Sequence, residues 1–275
     1  MRAIALLTFF SLASASAATL DPTTSNAWDE YIQSATQRMQ QRVAAGNSFL
    51  WVDEAPDRLV KVKAGEVVVA LMGPQVPKKV PAGLIHHWVG AVFIPNASIN
   101  DALQVVRDYP RYKDLYQPSV VDSKVIDSRE DTDHYFMLLM NKALLLKTAF
   151  SADYEACYVR VDGTRAYSIA RSTRIQEIEG YGTSTERLVP EGQGRGILWR
   201  LFAVTRYLER DGGVYIEFEA IGLSRDIPFS VRWFVEPMVR RVSRSSLATS
   251  LEETEHAIRT RAEVARSGSA LSYKP

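Results

Sequence analysis

Four histidines are the first residues to consider for metal or acid–base chemistry: His86, His87, His134 and His256. His86 and His87 are adjacent in a predicted strand, so their side chains point to opposite faces and do not bind one metal ion together. His134 follows Asp133 at a predicted turn, and His256 lies on the polar side of a predicted helix. Because no two histidines combine with a carboxylate at metal-ligand spacing, we predict no metal site.

Two predicted strands in the C-terminal half carry charged side chains in alternation with other residues. Arg200 and Arg206 belong to one strand, and Glu217 and Glu219 to the next. Since alternate residues of a strand share a face, all four charges lie on one face. We interpret this face as the solvated outer surface, crossed by ion pairs. The alternative interpretation places an Arg–Glu pair inside a cavity to bind a polar head group, at a large cost in desolvation.

Acid–base catalysis requires a titratable group inside a cavity. The candidates are Glu217, Glu219, Tyr215 and His134, and none of them stands in a catalytic constellation. No nucleophile elbow, P-loop or dinucleotide fingerprint occurs, so we predict no cofactor. The Gly-rich run 192–196 has no strand before it and a strand after it, which indicates a flexible rim loop rather than a phosphate site.

Composition excludes several classes of protein. The 275 residues include 33 Lys and Arg against 32 Asp and Glu, and 46% are hydrophobic, which is typical of a globular chain. The formal net charge of +1 excludes nucleic-acid binding by bulk electrostatic attraction. The single cysteine, Cys157, excludes an intramolecular disulfide and a Cys-rich zinc site.

The first 17 residues have the pattern of a signal peptide. Arg2 precedes an apolar run from Ala3 to Leu12 that is too short to span a bilayer. The sequence Ala-Ser-Ala at 15–17 is a small-x-small cleavage pattern. We therefore expect an exported protein, periplasmic or secreted, whose mature chain starts near Ala18.

A cluster of glycine and proline at 73–83 is the best boundary in the chain, because it continues neither a helix nor a central strand. Residues 18–82 form a predicted N-terminal extension with a helix over 24–45. Two β-rich runs, 59–62 and 67–71, flank a Gly-containing turn and predict a hairpin.

The chain after this boundary has a different order of elements. A strand over 84–94 is followed by short helical segments over 99–106 and 109–116. The predicted strands that follow are 120–127, 135–141, 143–161, 165–178, 197–208 and 214–223. A long amphipathic helix over 228–264, with a break or kink at Pro237, precedes a polar tail, 265–275. The predicted fold is α+β, with a curved antiparallel sheet of about seven strands wrapped around the C-terminal helix.

Three stretches carry a resemblance to a known superfamily: 108–123 (DYPRYKDLYQPSVVDS), 213–219 (GVYIEFE) and 224–228 (SRDIP). Together with the order of elements, they resemble the helix-grip fold of the START-like (SRPBCC) superfamily, which includes polyketide cyclase-like proteins. The resemblance covers about residues 84–264, and we assign residues 83–264 to this domain. It implies a cavity between sheet and helix for lipids, quinones, polyketides or similar apolar molecules. Most members bind or carry a ligand, and a minority catalyse cyclisation or dehydration.

The resemblance, combined with strand alternation, predicts a set of ligand-binding residues. Arg225, just before the last helix, is the candidate contact to a head group. The predicted cavity wall is Trp88, Tyr158, Tyr167, Trp199, Leu201, Ile216, Phe218, Trp233 and Leu251. Small residues alternate with large ones over 165–178, which indicates either room for a ligand or accommodation of strand curvature.

Three functions remain open at this point. The first is a carrier whose partner is a hydrophobic small molecule or lipid, with a transient membrane contact through the arginines of the last helix. The second is a cyclase or dehydrase. The third is a non-catalytic interaction protein with a filled core. The N-terminal extension is a candidate lid over the cavity. Its helix needs a surface to cover, and that surface is this domain, a second subunit or a membrane.

Overall fold

The structure is a computed structural model that describes residues 18–44, 46–73, 76–143 and 146–271. The predicted signal peptide, residues 1–17, lies outside the described residues. Five helices within them are α1 (Pro22–Val43), α2 (Pro56–Lys63), α3 (Ile99–Val106), α4 (Tyr112–Leu115) and α5 (Phe229–Leu271). Short 3-10 helices occupy Trp51–Glu54 and Tyr109–Arg111.

The strands form one antiparallel sheet. They are β1 (Val68–Leu71), β2 (Lys78–Val80), β3 (Gly83–Pro95), β4 (Val120–Ser128), β5 (Thr132–Ala143), β6 (Leu146–Arg160), β7 (Arg165–Glu179), β8 (Arg187–Leu188), β9 (Arg200–Arg210) and β10 (Gly213–Arg225). The spatial order is β1-β3-β10-β9-β7-β6-β5-β4, with β2 beside β3 and β8 beside β7. The predicted α+β helix-grip architecture is confirmed. The described strands number ten rather than about seven, because three short ones were not foreseen as members of this sheet.

The predicted hairpin over 59–71 is wrong in its first half. Leu59 to Val62 lie in α2, which begins at Pro56 with Asp57 in its first turn. Proline is pre-organised for the first helical position, and an acidic residue there favours the helix dipole, which outweighs the β-branched run. The second half is a strand, β1, but its partner is β3. Both β1 and β2 therefore join the predicted extension to the main sheet.

The two faces of the sheet are covered by different parts of the chain. On β3, Trp88 and Val92 point to the face packed against α3 and α5, which we call the inner face. Ile85 and Val89 point to the opposite, outer face, where α1 and α2 pack. The predicted lid over the cavity is thus incorrect: the N-terminal segment (residues 18–66) covers the outer face.

The long C-terminal helix runs without a break through Pro237 to Leu271, beyond the predicted end at 264. Its buried residues Leu247, Leu251 and Ile258 recur at helical spacing and pack on the inner face. The helix packs mainly against β3, β1 and α3. Residues 272–275 of the predicted tail lie outside the described part of the chain.

Candidate functional site

Six of the predicted wall residues lie on the inner face. They are Trp88, Tyr158, Leu201, Ile216, Phe218 and Leu251. Trp88, Ile216 and Leu251 are buried in the contact between sheet and α5. Tyr158, Leu201 and Phe218 are only partly buried. Their assignment to a ligand stays a prediction, but the structure brings them together on one face.

The other four predicted residues lie elsewhere. Tyr167 and Trp199 pack in the outer-face cluster beneath the N-terminal segment. Tyr167 points outward because Ala166 and Ser168 take the inner positions of β7. Trp233 is 79% exposed near the start of α5. Arg225 ends β10 and donates from its guanidinium to the carbonyl of Arg195, at 3.4 Å.

A group of tyrosines forms the most distinctive part of the inner face. This tyrosine cluster consists of Tyr109, Tyr112, Tyr116, Tyr135, Tyr154, Tyr158 and Tyr207. The ring of Tyr135 stacks on Tyr109 and on Tyr154, with centroid separations of 4.1 and 5.2 Å. The Tyr109 and Tyr158 hydroxyls lie 2.6 Å apart, and those of Tyr116 and Thr254 in α5 lie 2.9 Å apart. These contacts link the sheet to α4 and α5.

Burial keeps the tyrosine cluster neutral at physiological pH. It raises the pKa of Tyr135, Tyr154 and Tyr207 well above the ordinary value of a phenol. The pKa of Tyr116 rises to about 12 for the same reason, although its hydrogen bond to Thr254 opposes the shift. The cluster therefore presents neutral hydroxyls, each both donor and acceptor, within an apolar wall.

Two buried carboxylates belong to the inner face, and each is paired with an arginine. Asp133, 1% exposed, accepts from Arg107 Nε at 2.9 Å and from the Tyr109 hydroxyl at 3.1 Å. Glu177, 4% exposed, accepts hydrogen bonds from the backbone N–H of Arg195 and from its guanidinium. The first pair holds the segment of Arg107 and Tyr109, which follows α3, onto the sheet, and the second holds the Gly-rich loop there.

The Gly-rich loop is held from both sides rather than forming a free rim. Glu177 binds Arg195, and the backbone N–H groups of Ala18 and Leu20 donate to loop carbonyls at 2.7 Å. Gly194 has φ of +94°, and a Cβ there would lie 2.8 Å from a Glu177 oxygen. Glycine is thus required for the carboxylate to reach the loop.

The charged outer face is buried, which corrects the prediction of a solvated surface. Arg206 is 1% exposed and donates to Glu217 at 2.7 Å and to Glu219. Glu219 also pairs with His87 Nε2 at 2.8 Å, and His87 Nδ1 lies 2.8 Å from the Tyr31 hydroxyl of α1. The predicted cross-strand pairing is confirmed for Arg206, which lies directly opposite Glu217, but that pair is buried. Arg200 pairs instead with Asp29 of α1, at 3.1 Å. This face is buried because the N-terminal segment packs on it and excludes water.

The environments of the two glutamates shift their pKa values in opposite directions. Burial tends to raise the pKa of Glu219, but the His87 hydrogen bond and the charge of Arg206 outweigh it and lower the pKa to about 2. Burial is the largest influence on Glu217 and raises its pKa, against the opposing charge of Arg206 and the hydrogen bond from the N–H of Val52. We call this set, His87, Arg206, Glu217 and Glu219, the outer charge network.

The candidates for acid–base catalysis do not meet in the inner face. Glu217, Glu219 and Tyr215 point to the outer face, where Tyr215 donates to Asp211 at 2.8 Å. His134 Nε2 lies 3.8 Å from a carboxylate oxygen of Glu155, and the two side chains are 32% and 22% exposed. His86 and His87 point to opposite faces, as predicted, since His86 Nε2 lies 3.0 Å from the Ser224 hydroxyl.

Sequence reasoning missed the tyrosine cluster, although a signal was available. Tyr109, Tyr112 and Tyr116 are spaced to share one helical face. Tyr154 and Tyr158 differ by an even number in one strand and share a strand face. Nothing in the spacing shows that the two sets meet.

Within the described part of the chain, no three or more His, Cys, Asp or Glu side chains are grouped to hold a metal ion. None of the helices described is long and apolar enough to cross a bilayer.

No protein-family model and no curated protein matches the chain. A STAR-related lipid transfer protein fragment from Xanthomonas axonopodis is a similar solved structure, at 14% identity and a TM-score of 0.42, covering 71% of this chain and 98% of its own. An aromatase/cyclase from a Streptomyces species is 9% identical with a TM-score of 0.43, over 64% and 95% of the two chains. Human STARD10 is 9% identical with a TM-score of 0.42, over 78% and 83%. The helix-grip arrangement rests on the order of helices and strands of this chain itself, and nothing about ligand or reaction follows from these likenesses.

Proposed function

We propose that this protein binds or carries a hydrophobic small molecule or lipid on the inner face, between the sheet and α5. One observation carries the proposal: a set of apolar side chains on that face is only partly buried. They are Met137, Leu139, Leu198, Leu201 and Phe218. A close-packed core would bury such side chains fully. An apolar ligand would remove them from water, at about 25 cal/mol per Å² of buried area.

The composition of the wall favours binding over a cyclase or dehydrase reaction. The buried carboxylates of the inner face, Asp133 and Glu177, are each held by an arginine. The groups expected to act as acid or base lie on the outer face or beside Glu155. The inner wall therefore offers apolar area and neutral hydroxyls, which suit the holding of a ligand.

The experiment that tests this proposal is native mass spectrometry of the protein purified from its own compartment, followed by solvent extraction. We expect a discrete added mass that extracts into organic solvent. The variant Leu201→Arg, which places a charge on the inner wall, should lose that mass. The control Ile126→Arg, at a 54% exposed position on β4, should keep it. A bare wild-type protein that takes up nothing from a panel of lipids and quinones would contradict the proposal and favour an interaction protein.

We also propose that the start of α5 docks on an anionic membrane surface. Phe229, Trp233 and Phe234 are 88%, 79% and 56% exposed, and they share one side of the helix with Arg241 and Arg244. Aromatic rings suit the interface between lipid and water, and each nearby arginine contributes on the order of 1 kcal/mol at an anionic surface. Glu236, an acidic residue in this part of α5, forms an ion pair with Arg240 at 2.8 Å, so its charge is compensated.

Vesicle sedimentation tests the membrane proposal. The wild-type protein should bind phosphatidylcholine vesicles containing phosphatidylglycerol, and binding should weaken with added salt. The double variant Phe229→Ala with Trp233→Ala should bind less. The control Val60→Ala removes a 66% exposed apolar side chain from α2 and should leave binding unchanged. Equal binding by the two variants would refute a role for this helix face.

Export of the mature chain from about Ala18 is a proposal that rests on the sequence pattern of residues 1–17. Cell fractionation and N-terminal sequencing test it. We expect the protein outside the cytoplasm with a first residue at or near Ala18, and an uncleaved cytoplasmic chain would contradict the proposal.

A further inference from the structure

One hydroxyl of the tyrosine cluster has no partner. Among the described residues, the buried side-chain polar atoms without a hydrogen bond are Tyr154 Oη and Trp199 Nε1. Trp199 belongs to the outer face, whereas Tyr154 lies on the inner face and is 1% exposed. A buried hydroxyl without a partner is unfavourable, and buried polar groups are otherwise almost always paired.

The described residues around Tyr154 give its hydroxyl no hydrogen-bond partner. Its cluster neighbours include the apolar residues Phe150, Ala152 and Ile175, and its ring stacks on Tyr135. Other hydroxyls of the tyrosine cluster are engaged, for example Tyr109 with Asp133 and Tyr116 with Thr254. A molecule that enters the inner face beside this ring would supply the missing hydrogen bond.

The charges of the inner face restrict what that molecule is. Asp133 and Glu177 are neutralised by Arg107 and Arg195, so neither attracts a cation. A carboxylate or phosphate placed beside Tyr154 would be buried without a counter-charge, which is costly.

We propose that the Tyr154 hydroxyl is the polar anchor of the ligand site, and that it hydrogen-bonds a neutral hydroxyl or carbonyl oxygen on an apolar ligand. This inference rests on the proposed binding function and adds the class of ligand to it. Tyr154 sets orientation and selectivity, while the partly buried apolar side chains supply most of the affinity.

Three matched probes test the anchor: naphthalene-2-methanol, 2-ethylnaphthalene and 2-naphthoate. They share one ring system and carry a neutral hydroxyl, no polar group and a carboxylate, respectively. Equilibrium dialysis gives the affinity of each. We expect the wild-type protein to prefer the alcohol over the hydrocarbon by about 2- to 10-fold, which is the range of a net hydrogen bond, and to bind the carboxylate most weakly.

The variant Tyr154→Phe separates the anchor from the binding site as a whole. It should remove the preference for the alcohol and leave the affinity for the hydrocarbon unchanged. Because it deletes an unpaired buried hydroxyl, it should be at least as stable as the wild-type protein in thermal unfolding. The control Tyr215→Phe removes a hydroxyl from the outer face, where it binds Asp211, and should keep the preference.

The outcomes distinguish this inference from the proposed function. Equal wild-type affinity for alcohol and hydrocarbon, as expected if a bound water satisfies Tyr154, would overturn the anchor and leave the binding function standing. A preference that survives in Tyr154→Phe would do the same. Failure of the wild-type protein to bind any of the three probes would contradict the binding function itself, and the anchor with it.

Discussion

The substitution Arg206→Leu should destabilise the protein strongly, since it removes the one cation that both outer-face glutamates share. Arg206 donates to Glu217 at 2.7 Å and to Glu219, and all three side chains are at most 4% exposed. Leucine would leave two buried carboxylates without their shared cation, although Glu219 would keep His87 and Glu217 would keep the N–H of Val52. The N-terminal segment closes the site, so water does not reach these groups without its displacement.

The magnitude follows from the cost of uncompensated buried charge. Removing one partner of a buried pair typically costs about 3–5 kcal/mol, and a protein of this size loses about 2–4 °C of melting temperature per kcal/mol. We therefore expect the melting temperature of Arg206→Leu to fall by about 6–20 °C at pH 7. Circular dichroism during thermal unfolding measures the shift. Adding Glu217→Gln and Glu219→Gln to the variant should recover part of the loss, because the charges are gone.

The matched control is Arg174→Leu. Arg174 pairs with Asp153 at 2.7 Å on β6 and β7, but its side chain is 44% exposed. Exposed ion pairs contribute about 0–1 kcal/mol, so this variant should melt within about 4 °C of the wild-type protein. If Arg206→Leu and Arg174→Leu melt at the same temperature, the outer charge network does not stabilise the fold as reasoned here.

Three further predictions concern stability on the two faces of the sheet. The pKa of Glu219 is lowered from 4.5 to about 2, so its stabilising contribution is present above pH 4.5 and lost as pH falls towards 2. In an acid titration, the free energy of unfolding of Glu219→Gln should therefore fall less steeply with pH than that of the wild-type protein. Identical slopes for the two proteins would contradict this. Deletion of residues 18–66 exposes the outer core and should abolish cooperative unfolding, whereas a soluble variant with a sharp transition would show that the sheet folds alone. Gly90→Ala puts a methyl group 2.7 Å from Leu251, and we expect it to lower the free energy of unfolding in urea by about 1–3 kcal/mol. The control Gly163→Ala meets no atom within 4 Å and should change that free energy by less than about 1 kcal/mol.

Local patterns were enough for most of the fold. Alternation and turn residues predicted β3, β7 and β10 within two residues of their observed ends. The helix predicted over 99–106 is α3, and the hydroxyl of Ser98 caps it by accepting from the N–H of Asp101. These features are local, since each depends on neighbours a few residues away. The same reasoning failed at Leu59 to Val62, where Pro56 starts a helix and outweighs β-branched propensity.

Which side of the sheet faces water was not accessible in this way. Strand alternation placed Arg206, Glu217 and Glu219 correctly on one face, but it says nothing about what covers that face. The charges of these side chains led us to expect that they face water. Instead, α1 and the 3-10 helix at 51–54 pack on that face and bury the charges as a network.

The candidate site, too, has features that local patterns predict and features that depend on packing. Strand and helix periodicity indicated the class of fold, a long helix on an antiparallel sheet, and six of the ten predicted ligand residues do share the inner face. The convergence of seven tyrosines from distant segments, and the lack of a described hydrogen-bond partner for the Tyr154 hydroxyl, follow from packing instead. Pairing between residues far apart in the chain depends on how the elements pack, and no local pattern records it.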